Sequence, residues 1–263
     1  MDLTLAEQHF HISTKGSDNP LLSFAAAELL QPEPMKELLQ KGSLLIKGIG
    51  LELAVSFVGL AFFGLAATKQ VMMSQYNRIL DLSLDNLTIQ LESHGDHAHV
   101  VFKINELKWT DLPLDDRESA IRTEWSKYFA DTMNPLIEAA AGAAGLKSAM
   151  IWNQYGARIA YLMDYLRQIV PDGPLRELIE SDYKLLAGMP GETFDRRKNP
   201  FDYTPCYLDS PYKPGTQMIL RSACCMYYKR EEGVKCYNCP ILKDEERAAF
   251  RLKIEAARQD HSA

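Results

Sequence analysis

The hydrophobic rhythm changes several times along the chain. Up to about Tyr76 the spacing is mainly helical. The stretch beginning Pro34-Met-Lys-Glu-Leu-Leu-Gln predicts a helix that stops at Lys41-Gly42, glycine being a common helix terminator. Leu53 to Thr68 is then a sixteen-residue run without a charge. A membrane span needs about 20 apolar residues, and Lys47 and Glu52 interrupt the upstream side, so this run predicts a buried core helix rather than a transmembrane segment. From Ile79 to Ile104 the period shortens to two. Leu80, Leu82 and Leu84 alternate with polar neighbours, Asp85-Asn86 supplies a turn, and Leu87, Ile89 and Leu91 alternate again. After the polar His94–His99 segment, Val100, Phe102 and Ile104 form a third run. These runs predict a small antiparallel meander, with His94, His97 and His99 in an exposed hairpin loop. The tract also has the composition of a metal site.

Helical spacing returns after Asp115. Ile121, Trp125, Phe129 and Met133 recur every fourth residue, and Pro135 marks a break or a new start. Ile159, Leu162, Met163, Leu166 and Val170 predict another helix, ending at Pro171-Asp-Gly-Pro174. Pro174 suits the first turn of the next one, which carries Leu175, Leu178, Ile179, Leu185 and Leu186 and closes at Gly188. Residues 189–218 are rich in Pro, Gly and Asp and predict a long connection. A charged helix from Lys243 to Gln259 follows the cysteine-rich segment. The expected class is α+β: a mainly helical body with a small antiparallel sheet, residues 1–215, and a compact C-terminal cysteine-rich module with its closing helix, residues 216–263.

Composition narrows the function. A net charge of −6 on 263 residues leaves no basic excess to neutralise nucleic-acid phosphates. The first ten residues lack a positive segment followed by an apolar one, so no secretory signal is expected. A reducing compartment follows, where clustered cysteines bind metal rather than pair as disulfides.

Four of the five cysteines lie within sixteen residues: Cys224-Cys225, ten intervening residues, Cys236, two more, Cys239. Four thiolates complete the coordination of a tetrahedral metal or of an iron–sulfur cluster. Neighbouring side chains on extended backbone point to opposite sides, so Cys224 and Cys225 reach two metal atoms more easily than one. A two-iron, two-sulfide cluster offers two such atoms. A single zinc requires a kink at the pair. The alternative pairing, with the CxxC loop on one iron and the adjacent cysteines on the other, stays open.

The CC–x10–CxxC signature resembles that of the FhuF-type ferric siderophore reductases. Met150-Ile-Trp-Asn-Gln-Tyr-Gly156 is similar to a Trp-x3-Gly segment of the same family. The resemblance implies a [2Fe–2S] cluster held by Cys224, Cys225, Cys236 and Cys239. It implies one-electron reduction of Fe(III) in a hydroxamate or citrate-type siderophore, releasing Fe(II) in the cytoplasm, and a body akin to the C-terminal region of siderophore synthetases. The chemistry is coherent: hard oxygen donors grip Fe(III) strongly and Fe(II) weakly, so one electron makes the chelate labile. No glycine fingerprint for a nicotinamide or flavin is present, so an external donor such as a ferredoxin or flavin reductase is expected. Association with the inner membrane face stays open. The competing readings are a zinc-stabilised binding or scaffold protein and an iron–sulfur redox sensor without turnover.

For substrate contact the candidates are Arg158 and Arg167 on the helix after Trp152, and Arg196 and Arg197 in the basic loop before the cysteine module. Arginine's fixed donor fork suits carboxylate or hydroxamate oxygens, although surface charge explains all four as well. Tyr227, Tyr228 and Tyr237 interleave the cysteines as shielding or as packing. Lys229, Arg230 and Lys235 are expected to be balanced in part by Glu231 and Glu232. Trp152 is assigned to the core, and Cys206 is read as a buried or idle thiol with no ligand role.

Overall fold

The computed structural model describes residues 1–95 and 97–260. Helix α1 (Thr4–Phe10) leads into two short strands, β1 (Ile12–Ser13) and β2 (Leu22–Ala25), then α2 (Pro32–Leu45) and the 25-residue α3 (Glu52–Tyr76). Strand β3 (Arg78–Leu80), the hairpin β4 (Leu87–His94) and β5 (His97–Ile104), and β6 (Trp109–Asp111) follow. The remaining helices of the body are α4 (Arg117–Tyr128), α5 (Asn134–Ala143), α6 (Ala149–Trp152), α7 (Tyr155–Ile169) and α8 (Pro174–Ala187). A second hairpin, β7 (Tyr207–Asp209) and β8 (Gln217–Ile219), precedes the cysteines, and α9 (Asp244–Asp260) follows them. The α+β class expected from the periodicities is the one observed.

Helix α3 is the axis of the body. It is apolar around its whole circumference, and α1, α2, α5, α6, α7 and α8 pack on it. By length and composition it could cross a membrane, but 83% of its most apolar window is buried inside the protein. Gly59 lets α6 approach closely, since a Cβ there would lie 2.6 Å from Ile151. Several polar residues buried on α3 are engaged, whereas the Thr68 hydroxyl has no hydrogen-bond partner among the described residues. Lys69, 2% exposed, reaches Glu124 at 2.7 Å and donates to the Leu80 carbonyl at 3.0 Å. Ser74 donates to Asp182, which is fully buried and grips Arg117 through both oxygens. Together these bonds tie α3, α4 and α8 together.

The four-residue repeat of Ile121, Trp125, Phe129 and Met133 has a structural explanation. On an α-helix such a repeat drifts by about 40° per step. A π-helical segment at Phe129–Met133 sits between α4 and α5, and its wider turn offsets the drift. All four side chains are buried. Pro135 lies in the first turn of α5, and Pro174 and Gly188 begin and close α8 as expected.

Several sequence expectations are corrected. Gly42 does not end α2; the helix runs on to Leu45, with Gly42 buried in its last turn. The Leu80 run does not join a meander, because β3 pairs with β6 in a sheet of its own. The main sheet has the order β1-β5-β4-β2, with β1 parallel to β5. Residues 189–218 contain a hairpin rather than only connection. The histidine loop is shorter than expected: pairing continues to His94 opposite His97, so His97 and His99 are strand residues. Asp96 and the side chain of His94 lie outside the described residues.

Candidate metal centre

The segment after β8 has almost no regular secondary structure, so backbone turns and caps place its side chains. Cys224 and Cys225 diverge, as adjacent side chains on open backbone do. The Sγ of Cys239 lies 3.7 Å from that of Cys224, and the thiol of Cys236 donates to Cys225. Metal–thiolate bonds of about 2.3 Å at tetrahedral angles put two sulfurs about 3.8 Å apart, so the inner pair already has the spacing of two ligands on one metal. Among the described residues, no three Cys, His, Asp or Glu side chains gather around one metal-sized point. The thiols stand as two pairs, the division that two irons require.

Met226 follows the adjacent cysteines in a left-handed conformation, φ 59°. This turn aims two amides at sulfur: Met226 N–H donates to Cys224 Sγ at 3.4 Å, and Tyr227 N–H to Cys225. Helix α9 secures the CxxC loop, with Arg247 donating to the carbonyls of Tyr237, Cys239 and Leu242. The α2–α3 connection clamps the other side. Ile49 N–H donates to Lys229, and Glu231 N–H donates to Lys47.

The two pairs differ in environment. Cys224 and Cys239 are 8% and 2% exposed, and burial pushes the Cys224 thiol up to about 11. Cys225 and Cys236 are half-buried. Cys225 is pulled down to about 5, chiefly by the hydrogen bond from Cys236, with the charges of Arg221 and Arg158 adding to it. That same bond pushes Cys236 up. The outer pair thus sits in a positive field, which favours a thiolate at Cys225.

The candidate arginines separate. Arg158 lies in the first turn of α7 and lines two adjoining cavities. It is solvent-accessible yet hemmed in by protein, and desolvation, then the nearby Arg221, hold its pKa below the usual arginine value. Arg167, farther along α7, is committed to Glu180 and Asp164. Arg196 and Arg197 line a separate cavity of about 380 Å³ beside Asn153 and Ser222, with Arg196 bonded to Asn153. Lys229 and Lys235 pair with Glu52 and Glu246, not with Glu231 and Glu232. Trp152 is core, at 1% exposed. Gly156 is forced by Tyr203, whose ring would meet a Cβ at 2.8 Å. Tyr237 is buried beneath Arg247 and Phe250. Cys206 is exposed rather than buried. Sequence spacing missed two features. Arg221 joins Arg158 on a cavity wall, and His99 Nδ1 lies 2.7 Å from His11 Nε2.

Four thiols in two pairs, one of them near the surface, suit the two irons of a [2Fe–2S] cluster. Residues 221–240 match the family model of the FhuF 2Fe-2S C-terminal domain, and the segment is a [2Fe–2S] site of that type. The match is consistent with the resemblance carried by the cysteine signature and makes this an iron–sulfur, metal-binding protein. No curated protein matches the chain.

Proposed function

We propose that the protein is a ferric siderophore reductase of the cytoplasm, with residues 216–263 carrying the cluster and residues 1–215 forming the body that receives the chelate. Cys224 and Cys239 hold one iron, and Cys225 and Cys236 the other. The 3.7 Å approach of Cys224 to Cys239, with Cys236 bonded to Cys225, carries this reading. Held by these four cysteines, a [2Fe–2S] cluster would supply one electron to chelated Fe(III), giving Fe(II), and a separate ferredoxin or flavin reductase would return that electron.

The chain's own residues shape that transfer. Amides of Met226 and Tyr227 and the charges of Arg158 and Arg221 stabilise negative charge on the sulfurs, which raises the reduction potential. Burial keeps the inner pair from water, while the outer pair is half-buried, with Cys225 in the field of Arg221 and Arg158. No acid–base group is required at the iron, because the reaction moves only an electron.

The decisive test is anaerobic purification with iron and acid-labile sulfide counted. About two of each per chain, visible bands that bleach with dithionite, and reoxidation by a ferric chelate are expected. A Cys225→Ser protein should lose the cluster and the turnover together. A colourless protein with about one zinc would refute the proposal in favour of a zinc-stabilised binding module.

A further inference from the structure

Four arginines of the body are paired with carboxylates, Arg78 with Asp111, Arg117 with Asp182, Arg167 with Glu180 and Arg176 with Asp172, while Arg196 bonds to Asn153. Arg158 and Arg221 are different. Among the described residues neither guanidinium has a carboxylate within ion-pair distance, yet they share the wall of one cavity of about 310 Å³ and are close enough to repel. The other polar side chains there, Gln154, Tyr161 and Asn238, carry no acid. The first turn of α7 also faces this space, adding the positive end of its dipole. Two cations and a helix N-terminus around a space without an acid make a site that an anion stabilises.

The position matters as much as the charge. Ala223, on the same wall, immediately precedes Cys224 and Cys225, and both arginines act on Cys225. Arg158 also borders a second cavity of about 420 Å³, whose mainly apolar walls include Phe57, Leu60 and Leu162, with His9, His11 and His99 among them. A ligand held here therefore meets a charged compartment beside the cysteines and an apolar one beyond it.

We infer that this double cavity seats an anionic ferric chelate, with Arg158 and Arg221 gripping its negatively charged donor face and the apolar compartment taking the chelator's alkyl arms. The inference rests on the reductase reading and adds a substrate class to it. Three hydroxamates just neutralise Fe(III). Two hydroxamates with a doubly deprotonated hydroxycarboxylate, as in citrate-centred chelators, leave one negative charge over. The arginine pair selects the citrate-centred class over the neutral trihydroxamate class.

Gallium(III) has the charge and size of Fe(III) but is not reduced, so binding can be measured apart from turnover. The test is calorimetric titration of the cluster-loaded, full-length protein with two gallium complexes, one of a citrate-centred dihydroxamate and one of a cyclic trihydroxamate. The anionic complex should bind about tenfold tighter or more, and its affinity should fall as salt rises. Arg158→Gln and Arg221→Gln should each weaken it about tenfold, the effect of one lost charge-assisted hydrogen bond, and leave the neutral complex unchanged. Equal, salt-independent binding of the two complexes by the unmutated protein would overturn the inference even if neither variant folds. So would unchanged affinity in both folded variants. A protein that binds the anionic gallium complex but never passes an electron to any ferric chelate would instead overturn the reductase reading and leave the anion site standing.

Discussion

The helical body and the cysteine module are stabilised in opposite ways. The body closes around α3 and a dense aromatic group in which Phe129 touches Trp125, Trp152, Phe194 and Phe201. Apolar burial of that extent sustains a fold without help. Among the described residues the module's small buried cluster is Cys224, Cys239 and Leu242, with Met226, Tyr228, Cys236 and Phe250 partly covering it. Two of its three central side chains are thiols. Its shape is set by turns and by Arg247 across three carbonyls. The body is a hydrophobic solid; the module is a coordination site with a backbone wrapped around it.

The contrast can be broken first in the body. Phe129→Ala should cost about 3–5 kcal/mol of unfolding free energy in denaturant titrations. A loss below about 1 kcal/mol would mean the aromatic group collapses into the gap. Asp182→Asn should cost about 3 kcal/mol, because it leaves the Arg117 guanidinium without its buried counter-charge. Stripping the iron with a chelator should act locally: amide exchange should accelerate across residues 220–242 while α3 and α5 keep their protection. Equal acceleration in both regions would show that body and module unfold as one unit. Arg167→Gln should cost less than about 1 kcal/mol, since its ion pairs are solvent-exposed. Smallest of all, Cys206→Ser should leave iron and sulfide content unchanged; a loss of iron would place that thiol among the ligands.

Much of the body was legible because the features that build it are local. Pro174 and Gly188 bracket α8, the four-residue repeat marks the inner face of α4 and of the π-helical segment after it, and the uncharged run before Thr68 marks α3. The errors came where a partner outside the window decided the outcome. Gly42 remains helical because α3 and α5 pack on α2 and outweigh glycine's conformational cost. The Leu80 run pairs with Trp109–Asp111 instead of with its neighbour in sequence. The two-residue β1 has no period at all and exists only because β5 accepts it in parallel.

The candidate site divides along the same line. By itself the sequence determined that four thiols cluster, that the adjacent pair diverges and that the surrounding chain is acidic, because spacing and backbone alternation are properties of neighbouring residues. Tertiary structure alone decided that Cys239 sits against Cys224 and Cys236 against Cys225, that Arg167 is taken by Glu180 while Arg158 is left without an acid, and that Arg221 joins it beside the cysteines. A charge becomes a binding site only when folding fixes which other charges surround it, and that depends on contacts between residues far apart in the chain.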